Sequence, residues 1–372
     1  MRTPGIEGAG GVMEPPPIIG PPPGSVVLEI ESPGFEAPAP DVRNRSIIPA
    51  AIAGMMAPSW DAGRFPATSV RFFALHDVFV VGEGLVFDRA LNVFGISMTQ
   101  HGIGEAALAR DRVRAAIDGG TVIEQGGTAL LCQKRGMTNF GHWLIELLPI
   151  AHLALPQMVS GEWRVIVPQV GEPLDAVLRD SMAMIGVPAG AVVASDGAPR
   201  HVETLIVAHG LTFHGLTVSP LVMDCMDTVM AGIEADPAQA LWVSRLALVR
   251  RLWNEPEVER VLRHMGWRVI SPGEMAFRAQ VAAFKGAARV AGVHGAGLTG
   301  VVFAAAGTPV TSFAPAAMPD TFFWLLTTLR RQRYVEVRAP HDRGWHGVAA
   351  YDAALVLSLP QVFSEVGAGV SV

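Results

Sequence analysis

The chain has 372 residues, a formal net charge of −6, 50% hydrophobic residues and 17% charged residues. This length predicts two domains of ordinary size, each with a substantial core. The acidic balance, with Lys134 and Lys285 as the only lysines, argues against a general nucleic-acid surface. Cys132 and Cys225 are the only cysteines and lie in apolar surroundings, which excludes a disulfide framework and a cysteine-ligated zinc site.

The first part of the chain is rich in proline and glycine and includes two Pro-Pro-Pro runs. Because proline interrupts helices and inner strands, we predict an extended, mostly flexible arm over residues 1–44, in which residues 26–30 can pair as an edge strand. The start of the chain lacks the apolar core of a signal peptide, which favours a cytoplasmic protein. Glycines and prolines break the uncharged stretch 290–319, so we do not expect it to cross a membrane.

Short β-like runs occupy residues 47–88 and a helix pattern follows at 105–117, and from Arg164 onward strand and helix patterns alternate regularly. This alternation predicts parallel, doubly wound α/β sheets, and Asp236-Pro237 indicates a boundary between two such domains that face a cleft. The predicted organisation is an arm (1–44), a first α/β domain (45–235), a second α/β domain (236–340) and a helical C-terminal segment (341–372) that packs back on the first domain. In the second domain we predict strands at 241–244, 267–270, 289–293, 310–313 and 334–337 and helices at 256–265, 277–285, 297–305 and 320–330.

A glycine-dense turn follows the apolar run 289–293 and precedes a small-residue helix pattern. The backbone N–H groups at such a helix start, together with the helix dipole, form an anion site. Gly295, Gly297 and Gly300 also match the dinucleotide fingerprint, which requires an acid at the end of the next strand. The next strand ends in Ala314-Pro315, and the first acid after it, Asp320, falls at a predicted helix start. Close packing of a helix on a sheet through glycines is a further interpretation of the pattern.

The most unusual helix pattern covers residues 139–155. His142 and Glu146 are four residues apart, so both lie on one face of an otherwise apolar helix, where ionisable groups are costly to bury. We predict that one of them is a general base that faces the cleft while the other orients it. The alternative is a histidine satisfied by a capping contact beside a solvated glutamate. His152 is predicted to be a packing residue.

Several charged residues follow the predicted strand 241–244 within eleven positions. Loops after the carboxyl ends of parallel strands face the ligand crevice, and two guanidinium groups there can clamp a diphosphate and stabilise its growing charge. The alternative is a solvated charge run at the start of a helix, with an asparagine as its cap. The residues concerned are Arg245, Arg250, Arg251, Asn254 and Glu255.

Motifs for metal ligation and for a serine nucleophile are missing from the sequence. The chain has no Asp-x-Asp, His-Glu-x-x-His or Cys-x-x-Cys motif and no G-x-S-x-G elbow. We therefore expect no metal and no cofactor, with arginines and a helix N-terminus neutralising a leaving diphosphate instead.

Three motifs in one order resemble glycosyltransferase family 61, which includes capsular and exopolysaccharide transferases. They are Asn139-Phe140-Gly141-His142-Trp143 with Glu146 and Pro149; Ser244-Arg245 with Arg250 and Asn254-Glu255; and Gln280 followed by His294-Gly295-Ala296-Gly297-Leu298, Phe303 and Gly307. The resemblance covers about residues 130–340. It departs at Ser312, where the family pattern usually has a glutamate.

The resemblance implies a GT-B arrangement of two Rossmann-like domains and an inverting transfer from a nucleotide sugar without a metal. The implied acceptor is a glycan or a lipid-linked glycan of a bacterial surface-polysaccharide pathway, handled in the cytoplasm or at the inner face of the membrane. The first domain would hold the acceptor, with His142 or Glu146 as base. The second would hold the donor through Arg245, Arg250, Asn254, Glu255, His294, Gly295, Ala296, Gly297 and Leu298.

The sequence leaves two other functions open. An NAD(P)-dependent oxidoreductase would use the same glycine-rich turn for its cofactor. A non-catalytic protein that binds a nucleotide sugar or polysaccharide is the other, and Ser312 makes it credible.

Overall fold

A computed structural model describes residues 15–213, 215–246, 250–341 and 353–367. The predictions for residues 1–14, 342–352 and 368–372 lie outside the described residues. None of the helices in the described ranges combines the length and the apolar composition that a membrane-spanning helix needs.

The strands of the described residues build two large sheets and two small ribbons. In chain order they are β1 (Ile18–Ile19), β2 (Val26–Ser32), β3 (Phe35–Ala37), β4 (Asp41–Arg43), β5 (Gly63–Phe65), β6 (Thr68–Val81), β7 (Leu85–Phe87), β8 (Val93–Phe94), β9 (Ile123–Leu131), β10 (Trp163–Pro168), β11 (Val192–Ser195), β12 (Arg200–His209), β13 (Thr212–Phe213), β14 (Thr217–Val218), β15 (Gln239–Val243), β16 (Arg268–Ile270), β17 (Ala287–Val293), β18 (Pro309–Pro315) and β19 (Arg333–Ala339).

Helices cover both large sheets. In chain order they are α1 (Ala50–Trp60), α2 (Ile103–Asp118), α3 (Phe140–His142), α4 (Leu148–Leu153), α5 (Leu155–Val159), α6 (Leu174–Met184), α7 (Leu221–Met230), α8 (Glu255–His264), α9 (Phe277–Lys285), α10 (Phe322–Leu329) and α11 (Leu359–Gly367). A π-helical turn, Trp143–Leu147, joins α3 to α4, and 3-10 helices occur at Arg45–Ile47, Gly95–Ser97, Ala189–Ala191, Pro272–Glu274 and Ala296–Phe303.

The second large sheet is parallel throughout, as predicted. Its strand order is β16-β15-β17-β18-β19-β4. The central strands β17 and β18 are mainly apolar and mostly buried, which is typical of parallel strands covered by helices on both faces.

The first large sheet is mixed, so the expectation of a wholly parallel first sheet was wrong. Its order is β1-β8-β7-β6-β12-β9-β10-β11, with β2 also paired to β6. The strands β12, β9, β10 and β11 are mutually parallel, whereas β6 runs antiparallel to β12, β7 and β2. The connection from β6 to β7 is too short for a crossover, so these two strands have to form an antiparallel hairpin.

The described part of the N-terminal arm, residues 15–44, is built into the fold. β2 pairs with β6, as predicted for the edge strand, but β4 pairs in parallel with β19 of the second sheet. Residues 15–44 are therefore not the mostly flexible arm that we expected, because their backbone groups pair with strands of both large sheets.

The C-terminal helix packs differently from our prediction. α11 is shorter than the predicted helical segment, and its Val362 and Val366 join a buried cluster with Trp242, Val258 and Leu262. It therefore covers the second sheet beside α8 rather than the first domain. The apolar face of α11 packs against the apolar face of α8, which explains why α11 lies on the second sheet.

One hydrophobic core runs between the two sheets. It contains Trp143 and Leu144 from the first part of the chain and Val243, Leu298 and Val301 from the second. The helical elements between the sheets thus pack against one another directly. The division into domains at residue 236 stays a prediction.

Candidate active site

The candidate site lies where the strand order of the second sheet reverses. The chain moves outward from β15 to β16, then returns to β17 and continues outward on the other side through β18 and β19. Loops after β15 and β17 therefore border a topological switch point, the usual ligand crevice of such sheets. Arg245 follows β15 and His294 follows β17.

Asn139 caps the start of α3, the helix that carries His142, and its Oδ1 accepts a hydrogen bond from the N–H of Gly141 at 2.8 Å. An asparagine at this position satisfies a backbone donor that the first helical turn leaves unpaired. The predicted continuous α-helix is interrupted by the π-helical turn Trp143–Leu147, which contains Glu146. Such turns are rare and occur often at functional sites.

His142 and Glu146 are hydrogen-bonded, so the prediction that they lie together on one face is confirmed. His142 Nδ1 lies 2.7 Å from Glu146 Oε1. Glu146 is 3% exposed, so the alternative of a solvated glutamate is wrong. Its other oxygen accepts from Lys134 Nζ. Burial lowers the pKa of Lys134 to about 8.

The structure gives His152 a packing role, in line with its interpretation. Its Nε2 lies 3.1 Å from Thr228 Oγ1 on α7, and burial lowers the pKa of the ring. His152 thus connects α4 to α7 and does not line the site.

The glycine-rich turn differs from the prediction in two respects. The helix after it, Ala296–Phe303, is a 3-10 helix rather than an α-helix. The N–H of Leu298 donates a hydrogen bond to the carbonyl of Gly295 at 2.8 Å. The prediction that this N–H binds the diphosphate of the donor is therefore wrong. Gly300 supports the close-packing interpretation, because a Cβ there would overlap the ring of Phe284.

Arg245 and Arg250 converge on this turn. The guanidinium of Arg245 lies against the Cα of Gly295, and its Nε donates to the carbonyl of Arg250 at 2.6 Å. Arg250 Nη1 donates to the carbonyl of His294 at 3.0 Å. Two cations therefore lie beside the predicted anion site. Arg251, by contrast, donates to the carbonyl of Leu246.

Asn254 and Glu255 are not brought to the cleft. Glu255 is fully buried, and its Oε1 accepts from the backbone N–H of Arg245 at 2.7 Å. Burial raises the pKa of Glu255. Asn254 precedes α8 as predicted, but its side chain makes no capping hydrogen bond. Glu255 thus holds the loop that carries Arg245.

His294 is buried in a chain of polar groups. Its Nε2 lies 2.9 Å from Asp320 Oδ2 and its Nδ1 lies 3.1 Å from Ser312 Oγ. Because a carboxylate accepts hydrogen bonds, Nε2 carries the proton. Both ring nitrogens therefore have protein partners.

Ser312 stands where the family pattern usually has a glutamate, but a carboxylate lies on the neighbouring strand. Glu336 is in register with Ser312 across β18 and β19. It is fully buried in an ion pair with Arg338 and accepts a hydrogen bond from Tyr334 at 2.7 Å.

These elements enclose a cavity of about 210 Å³, which we call the site cleft. It is lined by Asn139, Gly141, His142, Glu146, Arg250, His294, Gly295, Ala296, Thr299, Met318, Asp320, Phe322 and Phe323. A second cavity of about 290 Å³, the adjacent cavity, also touches Ala296 and includes Phe140, Arg245, Pro272 and Gly297 in its lining. Within the described residues, no group of three or more His, Cys, Asp or Glu side chains is placed to hold a metal ion.

Sequence reasoning missed three residues of this site. Lys134 is one of only two lysines and lies five residues before Asn139. Its rarity and its place next to the His142 motif could have indicated a role in the site. Asp320 was assigned only to a helix start, although it follows the carboxyl end of β18. Thr299 lies inside the glycine-rich motif and gave no separate signal.

Comparison with known proteins identifies a family that this chain resembles. Residues 140–311 match the family model described as Glycosyltransferase 61, which confirms the resemblance of this chain to that family over a narrower span than 130–340. The match supports glycosyltransferase activity. The matched span contains His142, Glu146, Arg245, Arg250 and the turn at His294, and it ends before Ser312 and Asp320. No curated protein matches the chain.

Proposed function

We propose that this protein is an inverting glycosyltransferase that moves a sugar from a nucleotide-sugar donor to a glycan or lipid-linked acceptor, with His142 as the general base. The observation that carries the proposal is the site cleft. The His142–Glu146 pair lines it together with Arg250 and the turn at Gly295 and Ala296. An acid–base pair and a cation in one cleft fit the needs of an attacking hydroxyl and a leaving diphosphate.

His142 is the better base of the two candidates. Glu146 already accepts from His142 and Lys134, and a paired carboxylate is a weak proton acceptor. Donation from Nδ1 to Glu146 makes Nε2 the basic nitrogen of the ring. Glu146 then orients the imidazole and stabilises its positive charge after proton transfer, while Lys134 donates to the other carboxylate oxygen of Glu146.

The transfer itself is a single displacement. The acceptor oxygen attacks the anomeric carbon of the donor from the face opposite the diphosphate, and its proton moves to Nε2 of His142. The bond between the anomeric carbon and the phosphate oxygen breaks, and its electron pair stays on the diphosphate. Arg245 and Arg250 beside the turn would stabilise this charge without a metal ion.

The two cavities suggest where the nucleoside and the sugar of the donor bind. The adjacent cavity is mainly apolar, has Phe140 and Pro272 in its lining, and suits a nucleoside. Both cavities touch Ala296, where the diphosphate would cross the turn. The sugar would then lie in the site cleft near His142. Surface-polysaccharide synthesis in the cytoplasm, at the inner face of the membrane, is the setting that we propose.

Variants of two histidines on the same helical segment test the proposal. The protein is first screened by thermal shift against nucleoside diphosphates, nucleotide sugars and NAD, because a ligand of the folded state raises its melting temperature. Nucleotide-sugar hydrolysis or transfer is then measured for His142→Gln and for the control His152→Gln. We expect His142→Gln to lower the rate by about 10²- to 10⁴-fold and His152→Gln to leave it nearly unchanged.

Three results would contradict the proposal. Stabilisation by NAD alone would favour an oxidoreductase. Binding of a nucleotide sugar without transfer or hydrolysis would favour a non-catalytic binding protein. Equal activity of the two histidine variants would remove His142 as the base.

A further inference from the structure

The site cleft carries a carboxylate beside an aromatic ring. Asp320 and Phe322 both line the cleft, and Phe322 is half-buried, so part of it remains accessible. A carboxylate accepts hydrogen bonds from hydroxyl groups, and an aromatic face packs against C–H groups. A sugar ring presents both kinds of group.

The Asp320 carboxylate is held from behind by protein donors. His294 Nε2 lies 2.9 Å from Oδ2, and the N–H of Phe322 donates to Oδ1 at 2.7 Å. His294 is itself fixed by Ser312 at 3.1 Å. These contacts orient Asp320, and a carboxylate is an acceptor for the hydroxyl groups of a ligand.

The segment before Asp320 is also anchored. Arg338 is fully buried and donates to the carbonyls of Pro315 at 3.1 Å and Met318 at 2.6 Å. Both acceptors precede Asp320 on the same connection between β18 and α10. Contacts of a buried guanidinium with two carbonyls restrict this connection and therefore the position of the carboxylate.

Thr299 gives an independent indication of a polar ligand. It is fully buried and lines the site cleft, and its Oγ1 has no hydrogen-bond partner among the described residues. A buried hydroxyl without a partner is destabilising and is rare in folded proteins. A ligand hydroxyl in the cleft would satisfy it.

We propose that Asp320 recognises hydroxyl groups of the transferred sugar, with Phe322 packing against the sugar ring and Thr299 contributing a further hydrogen bond. This inference rests on the proposed function and names the part of the site that selects the sugar. His294 and Ser312 act through Asp320 as positioning residues. The matched family span ends at residue 311, so Asp320 lies beyond it.

The test compares a nucleoside diphosphate with its own nucleotide sugar. Isothermal titration gives the Kd values of UDP and UDP-glucose, UDP and UDP-N-acetylglucosamine, and GDP and GDP-mannose, and the first pair that binds the wild-type chain is used. In Asp320→Asn we expect the Kd of the nucleotide sugar to rise by about 10- to 100-fold while the Kd of the diphosphate changes less than about twofold. Asp180→Asn, at an exposed position of α6, is the matched control.

The outcomes distinguish a failure of the proposed function from a failure of the role given to Asp320. If the wild-type chain binds no member of any pair, the proposed function fails. If it binds a pair and Asp320→Asn changes both Kd values equally or neither of them, the role of Asp320 in sugar recognition is wrong and the proposed function stands.

A second measurement uses the wild-type chain and does not depend on the folding of a variant. In saturation-transfer difference NMR with the bound nucleotide sugar, protons of the sugar ring should receive strong saturation from Phe322. Saturation confined to the base and ribose protons would overturn the inference.

Discussion

The guanidinium of Arg245 lies directly over the Cα of Gly295, in the space that a side chain at residue 295 would occupy. Gly295→Ala should therefore displace Arg245 from the anion site without disturbing the core. We expect the affinity for the nucleoside diphosphate to fall by about 10- to 100-fold, as for the loss of charge-assisted hydrogen bonds, with little change in melting temperature. Titration calorimetry measures the affinity. Gly104→Ala, where an added Cβ meets nothing within 4 Å, is the control, and an equal loss of binding there would contradict the explanation.

Gly300 in the same motif should respond in the opposite way. A methyl group there would overlap the buried ring of Phe284, and overpacking of this kind costs about 1–3 kcal/mol. We expect Gly300→Ala to lower the free energy of unfolding in urea while the folded fraction still binds the diphosphate. Wild-type stability together with lost binding would show instead that Gly300 belongs to the anion site.

The pH dependence of turnover should reflect Lys134. Its ammonium group is lost as the pH rises through about 8, and the positive charge beside Glu146 is lost with it. We expect kcat to fall above about pH 8. The free energy of unfolding should instead increase above about pH 8, because the exposed Lys134 of the unfolded chain keeps its proton up to about pH 10.5. The unfolded chain binds more protons than the folded chain between these values, so the free energy of unfolding rises with pH across that window.

Lys134→Arg tests this assignment because a guanidinium keeps its charge above pH 12. The falling limb of kcat should move to higher pH in this variant. Lys285→Arg is the control, since Lys285 donates to the carbonyls of Met230 and Ile233 at the end of α7. A falling limb that stays near pH 8 in Lys134→Arg would exclude Lys134 as its cause.

Glu255 should prove structural rather than donor-binding. Because its folded-state pKa is raised, the folded chain binds the proton more tightly than the unfolded chain, and stability is lost as the pH rises through the folded pKa. Glu255→Gln keeps an acceptor for the N–H of Arg245 and removes the buried charge. We expect unchanged or roughly 1 kcal/mol higher stability at neutral pH and a change of diphosphate affinity below about twofold, checked by calorimetry. A large loss of affinity in a stable Glu255→Gln protein would restore the donor-binding role.

The sequence predicted the local features well. The predicted helix 277–285 coincides with α9 (Phe277–Lys285), and the pairing of His142 with Glu146 follows from helical spacing alone. Periodicity and capping are properties of neighbouring residues, so a single sequence contains them.

Features that depend on distant partners were missed. The pairing of β4 with β19 joins segments almost 300 residues apart, and Asp320 acquires its surroundings only when β17 and β18 bring His294 and Ser312 beside it. The π-helical turn at Glu146 depends on the packing of its surroundings as well as on its own residues. Only the folded chain combines these contributions.

The strand β4 has a consequence for chimeric proteins. An exchange of donor specificity between relatives by cutting at residue 236 would join a foreign second sheet to the native β4, whose Asp41–Arg43 must pair with β19. A mismatched edge would leave backbone groups of β19 unpaired and open to other chains. The transplantable unit is therefore discontinuous in sequence, and β4 has to travel with the strands that it completes.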